Sequence, residues 1–449
     1  MRGRPTTFAD DATRALERLG WPCYVAASGD GFGMFASRDL DAGECIMAER
    51  PFALTVSISC RHRRCATCLA DSRKKSSAAW TIHCPGGCGT QRYCSQRCQD
   101  AAAVYLHPPF GVECDSMAKA SGDASGHNFE IADVAAQAFR IVAARSAQYR
   151  LSLNPGCKGA ENGSNTEGDE CDPLTFGYDA FASRLVGVAP STAESRKVAR
   201  AVSLTVLRSL PEGNRVPPTE LRDVLERHAC NNFGINGCGG EDIACAAFVG
   251  FMQLFNHSCH PNAAFDHATL FAQADMNDGR PPAFSIATLL AIPAHKEICI
   301  SYLSSPLLIS EGMAARKAHL SEYYGFDCSC SRCRDADQGD GLDVDASSAW
   351  LKSIQCPYLV EHGCGTGLGV PVSIASDGAD GADGADGAGG ADGAETCAEI
   401  PPMIPSSSGL FATLRCLHCA HRYERRVRAD ACAQSDPRSA VSFVKLSLN

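Results

Sequence analysis

Long apolar runs are missing from this chain of 449 residues. The longest apolar window, Ile243 to Phe255, is too short to cross a bilayer and fits a buried element, so no membrane span is expected. The opening MRGRPTTFADDATRALERLG lacks the apolar stretch of a secretory leader and reads as a short amphipathic helix. Positive charge is scarce too. The formal net charge of −10 argues against bulk nucleic-acid binding and leaves room only for local basic patches. No nuclear-import signal stands out, which leaves nucleus and cytoplasm equally open. These absences describe a soluble, intracellular protein, long enough for several domains and a sizeable core.

Cysteine is what the chain has in excess, with 26 residues. In a reducing compartment disulfides are disfavoured, so clusters with short spacings point to metal. Cys65-x2-Cys68, Cys84-x3-Cys88 and Cys94-x3-Cys98, followed by His107 and Cys114, supply the eight ligands that two closed zinc sites require. Cys60 sits just ahead of this cluster and is left out of it. Further on, YYGFDCSCSRC places Cys328, Cys330 and Cys333 together, one ligand short of a tetrahedral site. Cys356 with Cys364, and Cys416 with Cys419, look like the two knuckles of a zinc ribbon; a loop with incidental cysteines is the competing reading. The tract between them, DGADGADGADGAGGADGA, is acidic, glycine-rich and expected to be disordered. Ten remaining cysteines, Cys23, Cys45, Cys157, Cys171, Cys230, Cys238, Cys245, Cys299, Cys397 and Cys432, fit no ligand pattern and read as small buried hydrophobes or loop thiols.

The rest of the chain is organised around GFMQLFNHSCHPNAAF, Gly250 to Phe265. An apolar run ends abruptly in Asn256-His257-Ser258-Cys259, and a His-Pro-Asn breaker then stops any regular element. Buried amide and imidazole groups need hydrogen-bond partners, and a ligand can supply them. Two other segments belong with it: EICISYL, a strand-like alternation ending at Ser301-Tyr302, and the cysteine-rich YYGFDCSCSRC.

In this order the three motifs resemble the SET domain of protein lysine methyltransferases. Asn256-His257-Ser258-Cys259 stands where that family has its cofactor-binding NHSC motif, Tyr302 at its catalytic tyrosine, and Cys328, Cys330 and Cys333 at its post-SET zinc ligands. The resemblance makes Cys259 the fourth ligand. YCSQRCQ, Tyr93 to Gln99, resembles the MYND zinc finger, which SET-and-MYND-domain proteins carry at this point of the chain. By that resemblance the pairs interleave, with Cys65, Cys68, Cys94 and Cys98 on one zinc and Cys84, Cys88, His107 and Cys114 on the other. SGDGFGMF resembles the glycine-rich opening of a SET domain, where Gly31 and Gly33 let the backbone approach S-adenosylmethionine. Asp30 and Phe32 depart from the residue types usual there. Asn231 echoes a family asparagine ahead of NHSC that contacts the cofactor.

The resemblance implies an α+β architecture: a β-rich SET fold of small curved sheets, with an inserted MYND finger, a helical insert, a post-SET zinc site and a C-terminal zinc-ribbon-like module. The boundaries expected are 1–58 for the helix and first part of the core, 59–114 for the finger and 115–229 for the helical insert. The catalytic part of the core takes 230–305, the post-SET segment 306–335, and the last module 345–428, interrupted by 375–396. Within the insert, Phe129 to Arg145, Ser195 to Leu210 and Thr219 to His228 have helical spacing, whereas Asn154 to Pro173 reads as a disordered loop.

The implied activity is S-adenosylmethionine-dependent methylation of lysine in a histone or non-histone protein. Asn256, His257, Asn231, Gly31, Gly33, Tyr302 and Phe326 would bind the cofactor, and Tyr302 and Tyr324 would serve catalysis beside the lysine. Three zinc sites are expected, with a fourth at the C-terminal cysteines. The finger carries eight basic residues against three acidic ones and, by the resemblance, takes a proline-rich peptide; a solvated face is the plainer reading. The protein is expected to act as a monomer. Two rival readings are an adaptor whose SET fold has lost turnover, to which the departures at Asp30 and Phe32 belong, and a zinc-dependent DNA-binding regulator, which the acidic balance disfavours.

Overall fold

A computed structural model of the chain describes residues 7–29, 31–51, 53–75, 79–105, 107, 111–123, 136–142, 216–229, 231–236, 242–248, 250–266 and 282–337. It also describes the strands at 369–376, 410–416, 422–431 and 444–448, and the positions 200, 202–204, 206–210, 212 and 351. Among the described residues no helix is long and apolar enough to cross a membrane.

A helix, Thr7–Arg18, leads into β1 (Cys23–Ser28), β2 (Gly31–Ala36), β3 (Cys45–Glu49) and β4 (Ala53–Val56). The cysteine-rich segment adds only β5 (Ile82–His83) and β6 (Arg92–Tyr93), followed by helices Gln96–Tyr105 and Val112–Asp123. After the helix Pro218–Ala229 come β7 (Asn232–Asn236), β8 (Asp242–Ala247), β9 (Asn256–His257), β10 (Ala263–Asp266), β11 (Phe284–Thr288) and β12 (Glu297–Ile300). Helices Ser305–Ser310, Met313–Tyr324 and Ser331–Asp337 close this part. Four further strands, β13 (Gly369–Ser376), β14 (Leu410–Cys416), β15 (Arg422–Ala431) and β16 (Val444–Leu448), form an antiparallel sheet in chain order.

Three small sheets make the core, in the orders β1-β2-β12-β9, β10-β11-β3 and β4-β8-β7. Their central strands show why these segments pair. Phe284-Ser-Ile-Ala-Thr288 is buried at every position, as a strand covered on both faces must be. Ser28 pairs with Gly31, so Gly31 opens β2. One apolar core, including Leu16, Met34, Ile46, Phe248, Phe255, Phe284 and Ile298, joins the sheets to the first helix. A second core joins the cysteine finger to insert residues such as Phe139, Val206, Leu221 and Leu225. Finger and insert therefore share one packed interior.

The insert is helical at 136–142, 202–204 and 206–209, within the first two segments of helical spacing, and at Pro218–Ala229, one residue longer at each end than the third. The expected loop from Asn154 to Pro173 and the acidic tract from Asp377 to Ala394 lie outside the described residues. So do Cys356, Cys364 and Cys419; Cys416 ends β14.

Candidate active site and metal centres

The long-range step that builds the site is a parallel pairing of only two residues. Cys299 and Ile300 of β12 register with Asn256 and His257 of β9, while Ile298 of β12 registers with Met34 of β2. One strand thus holds the glycine-rich β2 on one side and the asparagine–histidine corner on the other, with Tyr302 just beyond its end. Glu49 steadies the approach to this corner. Its buried carboxylate accepts the backbone N–H groups of Gly250, Phe251 and Met252 at 2.6, 2.8 and 3.1 Å, fixing the short 3-10 turn that delivers Phe255 and Asn256.

Gly33 and Gly31 differ in environment. A Cβ on Gly33 would crowd Glu297 Oε1 and lie 2.8 Å from Asn256 Nδ2, so a larger residue there would push these side chains aside; a Cβ on Gly31 would meet nothing within 4 Å. Asn256 donates through Nδ2 to Phe32 O at 3.2 Å and to Glu297 Oε1 at 2.8 Å. Phe32 contributes its carbonyl there and packs its ring against Phe8, at 5.3 Å between centroids. Asp30 lies outside the described residues. Asn231 opens the strand region of another sheet, its N–H bonded to His228 O at 3.0 Å.

His257 uses both ring nitrogens within the protein. Nδ1 accepts the backbone N–H of Tyr302 at 3.0 Å, and Nε2 lies 3.3 Å from Cys259 Sγ. Because Nδ1 is an acceptor, the ring proton sits on Nε2 and is directed at the sulfur. The Tyr302 hydroxyl donates to Phe255 O at 2.7 Å, and that of Tyr324 to Tyr302 O at 3.3 Å. Around them the rings of His257, Tyr302, Tyr324 and Phe326 stand with centroids 5.0 to 6.5 Å apart. The position of Phe326 follows from Gly325, which ends the preceding helix in the left-handed region at φ 76° and caps the carbonyls of Leu320 and Ser321.

Among the described residues three groups of four side chains bring their ligand atoms within 4.8 Å of one another: Cys65, Cys68, Cys94 and Cys98; Cys84, Cys88, His107 and Cys114; and Cys259, Cys328, Cys330 and Cys333. A tetrahedral zinc with Zn–S of about 2.3 Å requires sulfur–sulfur edges of about 3.8 Å. The observed edges are 3.6 Å for Cys68–Cys94, 3.7 Å for Cys84–Cys114, and 3.9 and 3.7 Å for Cys259 with Cys328 and Cys333. None of these cysteines is in a disulfide. Hydrogen bonding from the other three thiols drives Cys94 and Cys328 far below the ordinary thiol range, so each all-cysteine group favours a sulfur anion even before a cation arrives. Residue types and spacings fit zinc.

Local structure places these ligands. Ser95 caps the helix Gln96–Tyr105 by accepting the N–H of Cys98 at 3.2 Å, which turns Cys98 back toward Cys94. His107 faces Cys88 Sγ with Nε2 at 3.4 Å, while Nδ1 lies 3.1 Å from Glu113 Oε1. Arg140, from the insert, reaches the same carboxylate oxygen at 2.9 Å. Burial alone would raise the Glu113 carboxyl, but Arg140 and His107 hold it below its usual value. Such a carboxylate behind a ligating imidazole fixes tautomer and orientation. In the third group Arg332, almost fully buried, donates to Cys259 O at 3.2 Å and Leu308 O at 2.8 Å, placing a cation beside sulfurs that carry net negative charge once metallated. Cys60 stays apart from the metal groups, donating to Asp242 O at 3.3 Å and accepting from Arg63 at 3.2 Å.

Glu297, Glu49, Arg140 and Arg332 escape motif reading, because their partners lie far off in the chain and no spacing marks them.

A fold of small sheets in which a glycine-rich strand, an Asn-His corner and a strand-end tyrosine meet beside a cysteine group is that of a SET domain. The SET domain family matches residues 31–303, and the chain belongs to that family. Its relatives are named as histone-lysine N-methyltransferases or, in one case, as a SET and MYND domain-containing protein. Over 321 residues it is 24% identical to histone-lysine N-methyltransferase ASHR2 of Arabidopsis thaliana, covering 68% of this chain and 70% of the relative. Over 311 residues it is 24% identical to histone-lysine N-methyltransferase SMYD1 of Homo sapiens, covering 69% of this chain but 54% of the relative. A SET and MYND domain-containing protein of Dictyostelium discoideum is 27% identical over 141 residues, 30% of this chain and 29% of the relative. Among solved structures, Rubisco LSMT bound to AdoMet matches with a TM-score of 0.31 and 13% identity, over 72% of this chain and 56% of that one. The expected enzyme class therefore agrees with the names of the chain's relatives, and the expected SET-and-MYND kinship with both family and relatives.

Proposed function

We propose that the chain transfers a methyl group from S-adenosylmethionine to the ε-amine of lysine in a histone or another protein. The observation that carries this reading is the union of β2 and the Asn256-His257 corner in one sheet, with Tyr302 just past the end of β12, beside an aromatic cluster and a cysteine lid. S-adenosylmethionine supplies an electrophilic methyl group on a sulfonium.

Everything else falls to the protein. Gly33, crowded by Asn256 and Glu297, gives the bound donor a close backbone surface, and Gly31 leaves open space beside it. Asn256, Phe326, Asn231 and the backbone of His257 complete the binding site. Lysine ordinarily titrates at about 10.4, so its amine must shed a proton before it can attack, and placement then carries most of the rate. Tyr302 holds its own proton on Phe255 O, so its oxygen is left as an acceptor that aims the amine, not as a base. The rings of Tyr302, Tyr324 and Phe326 exclude water and favour a cationic lysine through their faces.

Zinc at Cys259, Cys328, Cys330 and Cys333 would hold the lid against the corner. The finger, read as MYND, would be a two-zinc module with a proline-rich peptide as its partner. Clusters of reduced cysteine fit a reducing compartment, the nucleus or cytoplasm.

Incubation of cell lysate with labelled S-adenosylmethionine tests the reading. Wild type is expected to label lysine, and Tyr302→Phe to be slower by about a hundredfold or more. His257→Ala, losing both ring contacts, is expected to be comparably slow. Labelling that is equal in all three would refute the assignment.

A further inference from the structure

The aromatic cluster at the reaction centre does not stop at Tyr324. On the helix Met313–Tyr324 the rings of His319 and Tyr323 sit one turn apart and stack, with centroids separated by 4.4 Å and planes 30° from parallel. His319 in turn lies 6.5 Å from the ring of Tyr324, which stands 5.0 Å from that of Tyr302. The rings therefore run in file from Tyr302 out to Tyr323 on the surface. Tyr323 is 53% exposed, the more exposed of only two large apolar side chains that stand out among the described residues. One exposed ring is ordinary on a protein surface. A ring propped by a neighbour and joined in file to the place where the amine is aimed is not, and neither donor binding nor methyl transfer calls for rings this far out.

The free charges beside the file have one sign. Glu322 and Asp327 are exposed, and among the described residues neither takes part in an ion pair or hydrogen bond. The cations nearby are engaged. Arg316 is fully buried and donates to Glu311 O at 2.6 Å, Arg334 donates to Ser329 O at 2.6 Å, and Lys317 is half-buried with contacts of its own. An exposed ring face next to uncompensated carboxylates suits one side chain above the others. The planar, weakly hydrated guanidinium of arginine stacks on aromatic faces and pairs with carboxylates. The compact, strongly hydrated ammonium of lysine gains less from a flat surface.

We propose that the His319–Tyr323 stack is a docking shelf for an arginine close to the target lysine in the substrate polypeptide. This rests on the methyltransferase reading and narrows its substrate class to basic segments that carry both residues. His319 props the ring, Tyr323 offers its free face, and Glu322 and Asp327 supply the counter-charge. Three extended residues span about 10 Å, so an arginine within about three positions of the lysine can reach the shelf.

A synthetic peptide library tests this on the full chain with labelled S-adenosylmethionine. Each peptide has one central lysine and, at one of the three positions on either side, arginine or its neutral isostere citrulline. Wild type is expected to label the arginine peptide about threefold to tenfold faster at one or more positions. Tyr323→Ala should bring that ratio close to one, whereas Tyr323→Phe, which keeps the ring, should retain it. Glu322→Gln should lower it by a smaller factor. Both rates come from one preparation, so partial unfolding of a variant does not move the ratio. A wild-type ratio near one at every position, or a ratio that Tyr323→Ala leaves unchanged, would overturn the proposal. Wild type that labels no lysine, in the library or in lysate, would refute the methyltransferase reading itself and the shelf with it, an outcome distinct from any change in the ratio.

Discussion

The finger's two cysteine groups are enclosed by their own apolar interior, shared with Phe139, Val206 and Leu225 of the insert, whereas the Cys259 group borders the reaction centre through a single imidazole. Ligand chemistry in the two regions is nearly the same. What differs is the next shell: Glu113 and Arg140 tie His107 to a helix, while His257 ties Cys259 to the backbone of Tyr302. A metal in the first region steadies a scaffold. In the second it would steady Tyr302, the residue proposed to aim the amine.

The largest effect should separate the regions outright. Cys333→Ser is expected to lose one zinc by metal analysis and to lower kcat/KM about a hundredfold or more, since misplacement near 1 Å costs that much. Cys84→Ser should also lose one zinc, yet change kcat/KM by less than about tenfold while lowering the melting temperature. Equal kinetic losses in the two variants would erase the distinction drawn above.

Next in size is Arg140→Met, which leaves Glu113 buried behind His107 without its strongest partner. Destabilisation of about 3–5 kcal/mol in urea unfolding is expected, as for other broken buried pairs. Kinetics of the protein that remains folded should be nearly unchanged. The double variant Arg140→Met, Glu113→Gln should recover part of the loss, because it removes the stranded charge.

The smallest effect concerns acid. Burial pushes His228, at the end of the insert helix, down to about 4 from the ordinary 6.5. The unfolded chain therefore takes up a proton that the folded one refuses. Stability is complete above about pH 6.5 and falls as the pH drops toward 4, by on the order of 3 kcal/mol. Urea midpoints measured across this range should flatten in His228→Leu relative to wild type. Identical slopes would mean that His228 is not the group responsible.

Much of this arrangement was legible in the chain, for a definite reason. Cysteine spacings announce metal because ligand pairs must come from one short turn. The structure groups the same twelve residues into three sets. Asn256, His257 and Tyr302 could be chosen because polar groups at the end of an apolar run are out of place unless something holds them. Charges such as Glu49 and Glu297 carry no such signal. Each is an ordinary acidic residue in a strand, and its purpose appears only when Gly250 or Asn256, about 200 and 40 residues away respectively, arrives beside it. Arg140 is equally silent in a helix of helical periodicity. Asn231 is marked by a short echo of a family motif, and its backbone N–H bonds to His228 O at the end of the insert helix.

The pairing of β2 with β12 also governs how the molecule is born. Met34 leaves the ribosome about 260 residues before Ile298, roughly tens of seconds earlier at usual rates of synthesis. Through that interval one edge of the glycine strand stays open while the cysteine finger emerges and can take up its zinc. Closure of the glycine strand therefore waits for β12, and truncation between the insert helix Pro218–Ala229 and β12 is expected to yield a metal-bearing finger that lacks the Asn256–Tyr302 corner.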